Sequence, residues 1–251
     1  MTHLYRCQIE LHDSLYFATR EIGRLYETEP ILHNYALCYA LGLVDSPIHE
    51  TMVAEENSYR YFCDRQVPQY AEHLTILNKQ GIYITPARAI AHATVLQTWK
   101  YADNRYHVEM QKTQKNIPSF GRTKEIAPES IFECFILSER SLLKSELISS
   151  RSNQWPWKIP KWIRLGKWMS KAEVTIEELR EVKQSSREIH FTFPYPLNPL
   201  DVMFTHQVLS YDVINMPPVS LIRNVHLRGE YYTCEAMKEL KIPACMEYRF
   251  S

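Results

Sequence analysis

Apolar and polar side chains alternate strictly at the start of the chain. Tyr5, Cys7, Ile9 and Leu11 are separated by Arg6, Gln8 and Glu10, the period-2 pattern that predicts a half-buried strand over residues 4–12. A short apolar segment at Leu15–Ala18 and a charged stretch, TREIGRLYETEP, follow. The period then changes. Ile31, Tyr35 and Cys38, with Leu32, Ala36 and Tyr39, make a stripe of helical spacing from about Pro30 to Leu41. Pro30 suits an early helical position, Thr28 or Glu29 can cap it, and Gly42 ends it before Pro47. Residues 45–64 are acidic and irregular, and a short helix is predicted around 68–79. Strands are predicted at 89–99 and 131–137, then at 189–193, 204–214, 221–228 and 245–250. The pattern shows no internal repeat and no low-complexity linker. It predicts one compact α+β unit over 1–251 with a β-rich C-terminal part over 146–251.

Composition narrows the chemistry. A chain of 251 residues, 45% hydrophobic and 23% charged, can bury its own core. Its six glycines all stand alone, so neither a dinucleotide-binding G-x-G-x-x-G nor a phosphate loop can be assembled. Lys+Arg and Asp+Glu are both 29, a balance unlike the strongly basic one of an autonomous nucleic-acid binder, although it can hide a local basic surface. The six cysteines show neither C-x-x-C nor zinc-ligand spacing and read as buried free thiols of a reducing compartment. Asp13 interrupts the first apolar stretch, and the longest apolar window, Tyr35–Val44, is too short to span a bilayer. The expectation is a cytoplasmic protein with no membrane contact, no metal and no cofactor.

Catalytic patterns are sparse. None of the ten histidines falls in H-E-x-x-H or another familiar nucleophile or metal motif, and the carboxylates form no two-metal pair. Three segments carry nucleic-acid chemistry instead. Residues 100–128 form a basic excursion between two predicted strands, with Lys100, Arg105, Lys112, Lys115, Arg122 and Lys124 against three carboxylates. Residues 151–171 combine six cations and no carboxylate with Trp155, Trp157, Trp162 and Trp168. These tryptophans suit base stacking or, equally, a packing or subunit interface. Arg20 and Arg24 would share one face of a helical turn and could grip a phosphate, while Glu21, Glu27 and Glu29 offer a local salt-bridge network instead.

The run Phe17–Leu41, FATREIGRLYETEPILHNYALCYAL, resembles the signature segment of a CRISPR-associated family. That family is the type I-D subunit of the Cas-five class, called Csc-one, in the RAMP superfamily. Chain length, the strand before the motif and the β-rich second half agree with it. The resemblance implies an RRM-like, ferredoxin-type (RAMP) domain with a thumb-like hairpin, mapped here onto 100–128. It implies a non-catalytic subunit at one end of a Cascade surveillance complex, capping the 5′ handle of the CRISPR RNA. The partners implied are the backbone subunit, the large subunit and target DNA near the PAM. The handle contacts implied are Arg20, Arg24, His33, Asn34 and Tyr35, with the basic residues of the thumb.

This sequence departs from the superfamily pattern near the C-terminus, where only Gly229 stands near the expected glycine-rich loop. Some relatives cleave precursor RNA themselves, and no motif here matches that, so a separate processing endonuclease is implied. The rival readings are a metal-independent endoribonuclease using a histidine, and an interaction module that touches no RNA.

Overall fold

A computed structural model describes residues 2–44, 68–101, 119–144 and 155–250. Strands β1 (His3–Leu11), β2 (Arg20–Ile22), β3 (Leu25–Glu27) and β4 (Ile31–Leu32) precede helices α1 (Asn34–Ala40) and α2 (Tyr70–Lys79). Strands β5 (Ile82–Ile84), β6 (Ala87–Ala91), β7 (Thr94–Tyr101), β8 (Ser119–Ile126) and β9 (Ile131–Ser138) follow. The rest comprises β10 (Trp162–Leu165), β11 (Ser170–Leu179), β12 (Lys183–Phe193), α3 (Pro199–Val202), β13 (Gln207–Ile214), β14 (Leu221–Thr233) and β15 (Ile242–Pro243). The architecture is mostly β. Among the described residues, one sheet runs β10-β11-β1-β9-β6-β4 with β5 also on β9, a second runs β12-β14-β13 with β15 on β14, and a third runs β2-β3-β8-β7.

The first sheet is built around β1, which pairs antiparallel with both β9 and β11. Its alternation does what the pattern predicts. Tyr5, Cys7, Ile9 and Leu11 are buried beside Ile136, Cys134 and Phe132 of β9 and Ile176, Val174 and Ala172 of β11. Burial of each large apolar side chain contributes about 1.5–3 kcal/mol. Helices α1 and α2 pack against β5, and α1 also against β10. The hydrogen bond with Cys7, together with burial, pushes the Cys134 thiol well above its ordinary range. Burial holds Cys38 of α1 up to about 12, and its sulfur lies 3.1 Å from the Tyr248 hydroxyl. Cys7, Cys38, Cys134, Cys234 and Cys245 are free thiols; Cys245 is exposed, and Cys63 lies outside the described residues.

The opposite face of β1 carries a polar cluster. Buried Glu133 of β9 accepts from Arg6 Nε at 2.6 Å, from Gln8 Nε2 at 3.0 Å and from the Tyr195 hydroxyl. Burial would raise the Glu133 carboxyl, but these donors outweigh it and leave it below the usual carboxylate range. The Arg88 guanidinium stands 4.2 Å above the Tyr195 ring.

Several expectations change. The helix predicted from Pro30 begins only at Asn34, because Ile31–Leu32 pair with Ala87–Arg88 as a strand. Its cap is the His33 side chain, not Thr28 or Glu29. The strand predicted at 89–99 is two strands in two different sheets, β6 on β9 and β7 on β8. Residues 245–250 are not a strand, and β15 lies just before them. Strand β11, an immediate neighbour of β1, falls where no strand was expected.

Candidate nucleic-acid interface

The charged stretch after Phe17 folds as a β-hairpin, not as the helical turn that would put Arg20 and Arg24 on one face. Gly23 (φ +62°) and Arg24 form a two-residue turn, and Arg20, Glu21 and Ile22 pair with Glu27, Tyr26 and Leu25. Two buried threonines anchor its base. Thr28 Oγ1 donates to Phe17 O at 2.8 Å and accepts from Phe17 N at 3.0 Å. Thr19 Oγ1 donates to Glu27 O at 2.8 Å and accepts from Glu29 N at 2.9 Å.

Strand β3 then pairs in parallel with β8, bringing Leu25, Tyr26 and Glu27 beside Arg122, Thr123 and Lys124. The Arg122 amide donates to Arg24 O at 2.9 Å, and the Thr28 amide to Lys124 O at 3.0 Å. Two segments about a hundred residues apart in sequence thus form one small sheet, and strand alternation sorts its side chains onto two faces. One face carries Arg20, Arg122 and Lys124, with exposed Ile22 and Leu96 beside them. Glu27 is the shared acceptor there, 2.5 Å from Arg20 Nη2 and 3.5 Å from Lys124 Nζ. The hydrogen bond from Arg20 holds the Glu27 carboxyl below its usual range, and Glu29 lies 3.5 Å from the same guanidinium. Arg122 is exposed and has no ion pair among the described residues. The other face carries Glu21, Tyr26, Gln97, Trp99 and the fully buried Glu125, which accepts from Thr123 Oγ1 at 2.7 Å and Gln97 Nε2 at 3.2 Å. Trp99 lies so close over Gly121 that a Cβ there would stand 2.0 Å from the ring.

The expected handle contacts therefore divide. Arg20, Arg24, Arg122 and Lys124 come together on this sheet, and Lys100 lies on β7 opposite Phe120. Arg105, Lys112 and Lys115 lie outside the described residues. His33, Asn34 and Tyr35 are buried, at 4%, 0% and 1% exposure, and have no surface to offer a strand. His33 Nδ1 accepts from Tyr35 N at 3.2 Å, and Nε2 lies 3.1 Å from Val219 O. Burial lowers its pKa to about 4, so the ring is neutral. Asn34 Nδ2 donates to Asp201 Oδ2 at 3.0 Å, as does the Tyr83 hydroxyl at 3.0 Å, and Arg249 N donates to Oδ1 at 3.1 Å. Burial nonetheless raises Asp201 to about 7. The Tyr35 ring packs among Tyr70, Tyr248 and Phe250.

The tryptophan-rich window divides too. Trp155 donates to Ile159 O at 2.6 Å, and Trp157 meets Tyr5 edge-on at 5.6 Å, so both pack on the core. Trp162 and Trp168 are exposed at 42% and 52%. Sequence reasoning missed Asp201 and the Glu133 cluster, whose partners are brought together only by the fold.

Among the described residues, no three His, Cys, Asp or Glu side chains are placed to hold a metal, and no helix is long and apolar enough to cross a membrane. The chain belongs to the type I-D CRISPR-associated protein Cas5/Csc1 family, whose profile matches residues 2–251. No curated protein matches it in sequence. Its fold is similar to a chain in the cryo-EM structure of the Type III-B Cmr-beta bound to cognate target RNA (TM-score 0.39, 14% identity, covering 70% of this chain). This chain spans 60% of the length of that one. It is also similar to a chain of Cmr-beta bound to cognate target RNA and AMPPnP, state 1 (TM-score 0.45, 11% identity, covering 89% of this chain and 86% of that one).

Proposed function

We propose that this chain is a non-catalytic RNA-binding subunit of a type I-D Cascade complex that caps the 5′ handle of the CRISPR RNA. In this reading it contacts the backbone and large subunits, lies near PAM-proximal target DNA, and works in the cytoplasm. The observation that carries the reading is the parallel pairing of β3 with β8, which sets Arg20, Arg122 and Lys124 on one face of one sheet with Arg24 at its turn. Guanidinium and ammonium groups at strand spacing can neutralise successive phosphates, and the exposed apolar residues between them can meet bases or sugars. The thumb of this reading, residues 100–128, takes in β8 and the last two residues of β7, which pair antiparallel.

The order β11-β1-β9-β6, with α1 and α2 in the first crossover and all pairings antiparallel, supports an RRM-like, ferredoxin-type core. Among the described residues, two of the ten histidines, His33 and His206, are buried. Burial lowers the pKa of each, and both are committed to backbone carbonyls, so neither is placed for acid–base work.

The test is equilibrium binding of a repeat-derived RNA to the purified chain across a salt series, in chelator. Binding should weaken steeply with salt, and Arg122→Ala with Lys124→Ala should flatten the log–log slope by about 2. An unchanged slope would remove these residues from the interface, and cleavage of the RNA would overturn the non-catalytic assignment.

A further inference from the structure

The hairpin turn between β10 and β11 is held in place while its largest side chains are left in water. Gly166 (φ +75°) takes a conformation that a side chain resists, and a Cβ there would stand 2.7 Å from Tyr16 O. Lys167 N donates to Tyr16 O at 2.8 Å, Ser170 Oγ to Ser14 O at 2.5 Å, and Arg164 Nη1 to Met169 O at 3.1 Å. Met169 itself sits at φ +56°, a left-handed conformation that a residue with a Cβ rarely adopts. The result is a fixed turn that displays Trp168 and Met169 at 52% and 62% exposure, with one side of the Trp168 ring against Tyr16 at 5.0 Å. A rigid, exposed aromatic beside a methionine loses little conformational freedom on binding, which is how interface anchors gain affinity.

The surrounding charges choose the kind of partner. Of the cations that made this window a nucleic-acid candidate, Lys161 pairs with Glu173 at 2.9 Å. Lys171 stands 4.1 Å over the Trp162 ring, Lys158 donates to Ser141 O at 3.1 Å, and Arg164 lies 3.9 Å from Asp13. Each of these four is held by a neighbour within the fold, while Lys167 is left as a positive rim beside the apolar tip among the described residues. We propose that the Trp168–Met169 turn is a protein anchor, seated in an apolar pocket with a carboxylate rim on a neighbouring subunit of the assembly. This rests on the reading of the chain as a complex subunit, and it assigns the turn to protein rather than to RNA.

The test places photoreactive p-benzoylphenylalanine at position 168 in the full chain, assembles the complex and irradiates it. The expected adduct is a peptide of one protein subunit from an apolar site flanked by Asp or Glu. The double variant Trp168→Ser, Met169→Ser should weaken that subunit's retention at least about tenfold while RNA occupancy and the thermal midpoint stay unchanged. A nucleotide adduct, an absent adduct in an intact complex, or full retention of every subunit by the double variant would overturn the proposal. If the unmodified chain recovers neither RNA nor protein neighbours, the underlying subunit reading fails with it.

Discussion

The two halves of the segment Phe17–Leu41 make opposite use of similar sequence. In the first half, residues 17–29, a hairpin leaves Arg20 and Arg24 exposed and zips onto a strand about a hundred residues away. In the second, His33, Asn34 and Tyr35 are buried, and they make long-range hydrogen bonds to Val219, Asp201 and Arg249 in the C-terminal part. The difference teaches that one motif can hold a surface and the clamp that positions it. Polar residues in a signature are not all ligands. Some fix the chain ends against which the exposed ones are aimed.

The largest way to break the comparison is in the clamp. Tyr35→Ala removes a buried ring from a four-ring aromatic contact and should cost about 3–5 kcal/mol in a urea-unfolding measurement. A loss near zero would mean that the second half does not hold the fold together.

Next comes the clamp's pH response. His33, lowered to about 4 by burial, makes stability rise with pH between about 4 and 6.5, since only the unfolded state takes up the proton in that range. Asp201, raised to about 7 by burial, works the other way, because the folded state holds its proton between about 4 and 7 while the unfolded state has lost it. The two slopes oppose each other within one cluster, so together they largely cancel. Asp201→Asn should expose the His33 slope, on the order of 3 kcal/mol gained from pH 4 to pH 7. A flat profile in that variant would contradict a neutral, buried His33.

The smallest effect belongs to the first half. Arg20→Ala removes exposed, solvent-screened ion pairs to Glu27 and Glu29 and should leave the urea-unfolding midpoint nearly unchanged, while weakening RNA binding. Equal losses of stability and binding would sharpen the comparison against us, making Arg20 a structural residue like Tyr35.

Legibility in the sequence followed the same division. Period-2 alternation located β1, whose Tyr5, Cys7, Ile9 and Leu11 face a continuous core, and helical spacing located most of α1. The alternation Ser170, Ala172, Val174, Ile176 against Lys171, Glu173, Thr175, Glu177 was equally plain, yet the tryptophans before it drew that region toward binding chemistry. The hairpin β2–β3 was harder. Each strand is three residues long, too short for a period, and only the isolated Gly23 marked its turn. Pairing of β3 with β8 and the meeting of Asn34 with Asp201 are tertiary facts, set by loop geometry and burial that no local window contains. The basic residues of the site were therefore readable, but their assembly into one face was not.

The most direct measurement is the occupancy of CRISPR RNA in complexes assembled with Arg20→Ala, Arg122→Ala and Lys124→Ala combined in the full chain. The account predicts that protein subunits still assemble while guide RNA falls at least about tenfold in salt near physiological strength. Full RNA occupancy in that triple variant, with the complex intact, would contradict the assignment of this face to the guide.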